Sequence, residues 1–237
     1  MIMKKKISIL IPVYNEFRYI KTCIENILEQ KFDNFDFEII VSDNNSDDGT
    51  KEILNKIENE KVKIFFQEHN LGKGSNIKNA LKYISGDYVL IQDADLEYSP
   101  LDYNDLFSAV YNQKADVVFG TRFARAKYFH VFTFIHLLAN KIITFLINIL
   151  YNKSFSDVLT GYKLIRADII TQLNLRSNNF DIDTEITCKI SKLKNIKIFE
   201  VPISINSRTY DEGKKIHWWH LFLLIFSIVK WRISRNK

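Results

Sequence analysis

The chain has 237 residues, enough for one large domain with a substantial core and too few for a second full one. Its hydrophobic share of 46% and charged share of 26% are those of a globular protein, and seven Gly with three Pro leave little room for flexible linkers. The net charge of +5 suits anionic membrane surfaces or phosphorylated substrates; the basic residues gather at the two ends without Gly- or Arg-aromatic repeats, so nucleic acid is not an expected partner.

In chain order, nearly continuous apolar runs at Ile7 to Pro12, Phe37 to Val41, Val62 to Phe66, Tyr88 to Ile91 and Val117 to Phe119 read as strands covered on both faces. The first follows a basic start but is short and broken by Pro12, so it reads as a strand and not as a signal peptide. Between the runs, Phe17, Ile20, Ile24, Ile27 and Leu28 recur at helical spacing, as do Ile77, Ala80, Leu81 and Ile84. This alternation predicts an α/β domain, a mostly parallel mixed sheet flanked by helices. Cys23 and Cys188 fall in helical segments without metal-ligand spacing and are expected to pack as small apolar residues in a reducing compartment.

The second half is less regular. From 131 to 151 the chain is apolar except for Thr133, His136, Asn140, Thr144 and Asn148, a narrow polar stripe along one helix. Its length approaches that of a membrane span, but Lys141 near the centre and the stripe favour a helix lying in the membrane interface or packed on protein. Trp218 to Trp231, as a helix, covers only about 21 Å. Tryptophan at both ends and a basic tail beyond predict that 216–237 is an interfacial anchor; the alternative is a C-terminal helix completing the core.

The polar clusters follow the strands: Tyr14-Asn15-Glu16 the first, Asp43-Asn44-Asn45-Ser46 the second, Glu68-His69-Asn70 the third and Asp93-Ala94-Asp95 the fourth. Open α/β sheets bind ligands beyond the carboxyl ends of their strands, so these clusters predict a site. Asp93 and Asp95 are two residues apart in extended chain and point the same way, which suits a shared hard cation, Mg²⁺ or Mn²⁺. A loop of Pro12-Val13-Tyr14-Asn15-Glu16 after the first strand, in place of Gly-x-Gly-x-x-Gly, argues against a dinucleotide oxidoreductase.

The ordered set Ile11-Pro12-Val13-Tyr14-Asn15-Glu16, Asp43-Asn44-Asn45-Ser46-Asp47-Asp48-Gly49-Thr50, Asn70-Leu71-Gly72-Lys73-Gly74 and Asp93-Ala94-Asp95 resembles the family 2 glycosyltransferases. With Gly120-Thr121-Arg122-Phe123, Asp157-Val158-Leu159-Thr160-Gly161-Tyr162-Lys163 and Ser207 to Lys215, it resembles more narrowly the polyprenyl-phosphate or dolichyl-phosphate sugar synthases, over nearly the whole chain. The resemblance implies a GT-A-like catalytic domain over 1–215, its nucleotide-binding half at 1–120 and its acceptor half at 121–215. It implies a nucleotide-diphosphate sugar as donor.

On this resemblance, Pro12, Tyr14, Glu16, Asp43, Lys73 and Asp93 are the expected nucleotide-binding residues. Asn44 and Asn45 stand where the family often has a second acid and a Gly. Asp93, Asp95 and Glu97 are the expected metal ligands, and Arg122, Arg208 and Lys214 the cations for an acceptor phosphate. Asp95, Arg122 and Glu185 are the expected catalytic residues, with Asp183 beside Glu185 as the alternative base if the acceptor is a hydroxyl. The leading expectation is metal-dependent, inverting transfer of a hexose from a UDP- or GDP-sugar to polyprenyl phosphate at the cytoplasmic membrane face. Transfer to a sugar hydroxyl of a cell-surface glycan or glycolipid is the second reading, and a non-catalytic nucleotide-sugar-binding protein the third.

Overall fold

A computed structural model of the chain describes residues 4–123, 133–206 and 220–234. The strands are β1 (Lys5–Val13), β2 (Phe35–Asp43), β3 (Val62–Phe66), β4 (Tyr88–Ile91), β5 (Val117–Thr121), β6 (Lys163–Arg166) and β7 (Ile198–Pro202). The helices are α1 (Ile20–Leu28), α2 (Thr50–Leu54), α3 (Lys73–Ala80), α4 (Tyr103–Gln113), α5 (Phe134–Tyr151), α6 (Ala167–Gln172), α7 (Ile182–Ser191) and α8 (His220–Ile233). All seven strands form one sheet in the order β3-β2-β1-β4-β6-β5-β7. It is the expected mixed α/β sheet: β3, β2, β1 and β4 run parallel, β6 lies antiparallel between β4 and β5, and β7 is parallel to β5.

Alternation along β1 explains how both faces are covered. Ile7, Ile9 and Ile11 enter a core with α1 and α4, whereas Leu10 enters the opposite core with α3, α5, α7 and α8. All four side chains are fully buried. Each contributes roughly 1.5–3 kcal/mol by leaving water, which fixes the register of the central strand. Glu38 is one of the buried charged groups inside the sheet. Its carboxylate accepts from Ser8 Oγ at 2.7 Å and from the Ser85 amide at 2.7 Å, and pairs with Lys63 at 2.9 Å, so one acid ties β1 and β2 to the turn before β4.

β6 and β7 were not among the expected strands. β6 is four residues long with Lys163 and Arg166 at its ends, and β7 is a half-buried edge strand carrying Glu200. Neither presents the continuous apolar run of a central parallel strand. The helix after β1 starts at Ile20, and Phe17 is exposed, its ring lying over Gly49.

Helix α5 turns its polar stripe inward. Asn140 and Thr144 are buried, and Asn148 donates to the Phe155 carbonyl and accepts from the Phe155 amide, both at 2.8 Å. The exposed large apolar residues are Phe134, Ile135, Leu138, Ile142, Phe145 and Ile149, with Lys141 exposed among them. Helix α8 packs beside it, the Tyr151 hydroxyl donating to the Ile228 carbonyl at 3.2 Å. Trp231 departs from its expected role as an interfacial anchor: only 1% exposed, it lies in the core with the Lys189 ammonium 4.5 Å from its ring. Phe222, Leu223, Phe226 and Ile233 form the outward face of α8. Trp218 lies outside the described residues.

Candidate active site

The chain runs from β1 outward to β2 and β3, then returns to β4 on the other flank of β1, so the strand order reverses between β1 and β4. Ligand crevices of open α/β sheets open at this point, beyond the carboxyl ends. The loops after β1, β2 and β4 meet here: the Asn15 amide donates to Ser46 Oγ at 2.9 Å, and the Gln92 amide to the Leu10 carbonyl at 2.9 Å.

The Asp-x-Asp loop is held from below. Gln92, 1% exposed, accepts from the hydroxyls of Tyr103 at 2.6 Å and Tyr162 at 2.7 Å, and donates to the Asp93 carbonyl at 2.8 Å. Asp95 Oδ1 accepts from the Glu97 amide at 3.1 Å across Leu96, whose φ of 60° is the left-handed conformation that side chains seldom adopt. Cys23 lies beneath the loop, its thiol pushed well above its ordinary value by burial and then by Asp95, Asp93 and Glu16. That common effect places Glu16 in the same acidic neighbourhood.

Lys73, at the start of α3, reaches Asp93 Oδ1 at 2.8 Å and Asp183 Oδ2 at 3.2 Å. The other oxygen of Asp183 pairs with Lys163 at 3.2 Å. Lys163 is fully buried and also donates to the Thr160 carbonyl. Two acids and two lysines thus alternate from β4 to β6. Burial raises the Asp183 carboxyl, but Lys163 and Lys73 outweigh it and leave the group below its ordinary value. Burial lowers the Lys73 ammonium, and Asp183 and Asp93 outweigh that too, so it stays protonated.

Arg122 stands at the end of β5. Its Nε donates to Asp157 Oδ2 at 2.6 Å and its Nη2 to Asp157 Oδ1 at 2.9 Å and the Leu159 carbonyl at 3.1 Å. Asp157 raises its proton affinity beyond what burial removes, with smaller help from Tyr98 and Glu97. Tyr98 joins the two sides: its hydroxyl accepts from the Gly161 amide at 3.1 Å, and burial pushes its pKa up to about 12. Gly161 is needed there, because a Cβ would lie 2.5 Å from Asp93 Oδ2.

Several expected residues take other places. Asp43 is fully buried, its oxygens accepting from the amide and hydroxyl of Ser46, so it closes the turn after β2. Glu185 is likewise fully buried, accepting from the amides of Arg176 and Ser177 and pairing with Lys189, so it holds the 176–177 loop. Asp183 is the acid of that helix at the crevice. The Ser75 amide at the start of α3 is taken by the Asn178 carbonyl at 3.1 Å, leaving Lys73 as the group this turn aims at the site. Pro12 and Tyr14 are half-buried at the crevice wall. Arg208 and Lys214 lie outside the described residues.

Among the described residues, no three of His, Cys, Asp and Glu converge as a metal-binding group. Asp93 instead shares Lys73 with Asp183. Two carboxylates on one loop are still a hard-oxygen donor pair, and that fits an ion completed by oxygens of a substrate diphosphate, as Mg²⁺ commonly is.

Asp157, Lys163, Gly161 and Tyr98 had no assigned role in the sequence, although all but Tyr98 sit in a quoted motif. The available signal was a charged residue at each end of Asp157 to Lys163, enclosing a glycine before a strand.

A sheet with this strand order, an Asp-x-Asp loop beside the switch point and fixed cations around it defines a GT-A glycosyltransferase fold. The chain belongs to glycosyl transferase family 2, whose model matches residues 8–173. It is similar to glycosyltransferase AglJ of Haloferax volcanii, 29% identical over 85% of this chain and 63% of that protein. It is also similar to dolichol-phosphate mannosyltransferase of Pyrococcus furiosus, 27% identical over 88% of this chain and 59% of that protein. The chain therefore spans about six-tenths of the length of the curated relatives it matches. In fold it resembles the crystal structure of glucosyl-3-phosphoglycerate synthase from Mycobacterium tuberculosis in complex with Mn²⁺, UDP and phosphoglyceric acid. The TM-score is 0.72 at 18% identity, over 98% of this chain and 80% of that one. Mannosyl-3-phosphoglycerate synthase from Rubrobacter xylanophilus gives 0.70 at 18% identity, over 96% and 72%.

Proposed function

We propose that this protein transfers a hexose from a UDP- or GDP-sugar to polyprenyl phosphate at the cytoplasmic face of a membrane, inverting the anomeric centre. The observation that carries the reading is the juxtaposition of the Asp93-Ala94-Asp95 loop and Arg122 through Tyr98 and Gly161. Similarity to dolichol-phosphate mannosyltransferase supports the lipid-phosphate acceptor.

Pro12, Tyr14 and Glu16 wall the nucleotide side of the crevice. Asp93 and Asp95, with Glu97 beside them, would hold Mg²⁺ or Mn²⁺; the ion supplies charge neutralisation to the departing nucleoside diphosphate. Lys73 keeps Asp93 in place and adds a fixed positive charge on the donor side. Arg122 binds the acceptor phosphate, a role that Arg208 and Lys214 share on the family resemblance. A phosphate acceptor is already ionised near neutral pH, so alignment and charge stabilisation suffice without a side-chain base. This agrees with the acids near the site: Asp183 has both oxygens on lysines and its proton affinity depressed, and Glu185 is inside the protein. Neither is placed to take a proton from a hydroxyl. On the membrane side, the exposed apolar faces of α5 and α8 meet the lipid surface. A groove of about 470 Å³ beside α5, lined by Ile142, Phe145, Phe155 and Lys141, offers apolar wall for an isoprenoid chain.

The test is incubation with Mn²⁺ or Mg²⁺, a panel of UDP- and GDP-sugars and short-chain polyprenyl phosphate, with lipid-linked sugar and released nucleotide as readouts. Asp95→Ala or chelation is expected to lower the rate at least a hundredfold, by roughly 3 kcal/mol of lost stabilisation. Full activity after either sinks the metal role, and product on a sugar hydroxyl alone replaces the acceptor.

A further inference from the structure

We propose that Asn140 and Asp157 are positioning residues for Arg122, through which helix α5 sets the place of the guanidinium that grips the acceptor phosphate; this rests on the reading of Arg122 given above. Asn140 is buried on the inward face of α5, and its amide is not spent on the helix backbone. Nδ2 donates to Asp157 Oδ1 at 2.8 Å, while its Oδ1 accepts from Thr144 Oγ1 at 3.2 Å. The hydroxyl of Thr144 one turn later therefore fixes which way the amide faces.

Asp157 is fully buried, and on its other side it holds Arg122 through both oxygens. The loop that carries it is clamped from a third direction. Glu200 of β7 accepts from the Ser156 amide at 2.9 Å and the Asp157 amide at 3.3 Å. With its backbone tied to β7 and one oxygen tied to α5, the Asp157 carboxylate has a single orientation toward Arg122. A bidentate pair transmits that orientation, because the planar guanidinium follows the carboxylate it is paired with. Helix α5 thus presents apolar residues outward and, on its inward side, an amide that ends at the acceptor cation. A shift of α5 along its axis reaches Arg122 through two side chains.

The experiment uses the full chain, a nucleotide sugar that supports transfer and short-chain polyprenyl phosphate, comparing wild type with Asn140→Leu and Thr144→Val. Loss of a hydrogen bond to a charged group predicts an acceptor KM raised about tenfold in N140L. T144V, which removes only the bond that orients the amide, is expected to raise it about threefold and keeps the test alive if N140L does not fold. Donor KM is expected to stay within twofold of wild type in both. A purely structural role for the stripe predicts donor and acceptor KM rising together, and that result, or an unchanged acceptor KM in both variants, overturns the proposal. Failure of the wild type itself to use polyprenyl phosphate overturns the acceptor reading and this inference together, so the two failures are told apart.

Discussion

Asp93 owes its position to three neighbours of different kinds: Lys73 fixes one oxygen, Gln92 the carbonyl, and Gly161 leaves the space the other oxygen occupies. Gly161→Ala is therefore a test of the site that leaves every charged group in the sequence intact. The added methyl would stand 2.5 Å from Asp93 Oδ2 and 2.9 Å from Tyr98 Cε2. The expected result is at least a thirtyfold fall in kcat/KM, about 2 kcal/mol of lost transition-state stabilisation, with the Lys73–Asp93 side of the site shifted. Wild-type kinetics for G161A would show that Asp93 need not sit where it does. Asp93 and Asp95 were legible because their alternation and their place after an apolar run are local facts. The lysine that faces Asp93 was not identifiable as its partner, and Asp157 and Lys163 found theirs 35 and 20 residues away. Asp43 and Glu185 were legible as acids but not as buried ones: the fold pairs Asp43 with the amide and hydroxyl of Ser46, and Glu185 with the Arg176 and Ser177 amides and Lys189.

At the level of elements, the strands that were legible are the ones buried on both faces, since only those carry an unbroken apolar run. β6 escaped because it is short and ends in charged residues, each with a partner: Lys163 on Asp183, and Arg166 on Asp116 and Asp168. The sheet also contains an acid whose effect on stability depends on pH. Burial raises the Glu38 carboxyl, but Ser8, Lys63 and Ser85 outweigh it and bring its pKa down to about 2 from 4.5. A depressed folded pKa contributes stability above the unfolded value, and that stability disappears as pH falls from about 4.5 through about 2. Denaturant titrations at stepped pH are expected to show Glu38→Gln less stable than wild type at pH 6, with a flatter decline across the acid window. Parallel acid limbs for the two proteins would contradict this. The polar stripe of α5 is visible in its spacing, and its direction is set by the loop at Phe155 to Asp157, which offers peptide groups and a carboxylate to Asn148 and Asn140.

Among the described residues, α5 and α8 each expose a face of large apolar side chains, which is unusual for a water-facing surface. Phe145 is 62% exposed and Phe226 70%, and neither closes a core contact that would justify an aromatic there. If they enter a lipid surface, Phe145→Asp with Phe226→Asp is expected to reduce binding to anionic vesicles at least tenfold, since each buried aromatic contributes roughly 1.5–3 kcal/mol. Undiminished vesicle co-sedimentation of the double variant would remove these faces from the membrane-binding surface.

By itself, the sequence determined the α/β class, the parallel strands at its centre and the loops that close on the crevice, because burial on both faces and polar clusters after strands are written in consecutive residues. The tertiary structure alone decided which acids remain available to a ligand, which way the α5 stripe faces, and that Arg122 is reached from α5 through Asp157. Those outcomes depend on pairings between distant residues, and a charged or polar group takes its role from the partner the fold brings to it.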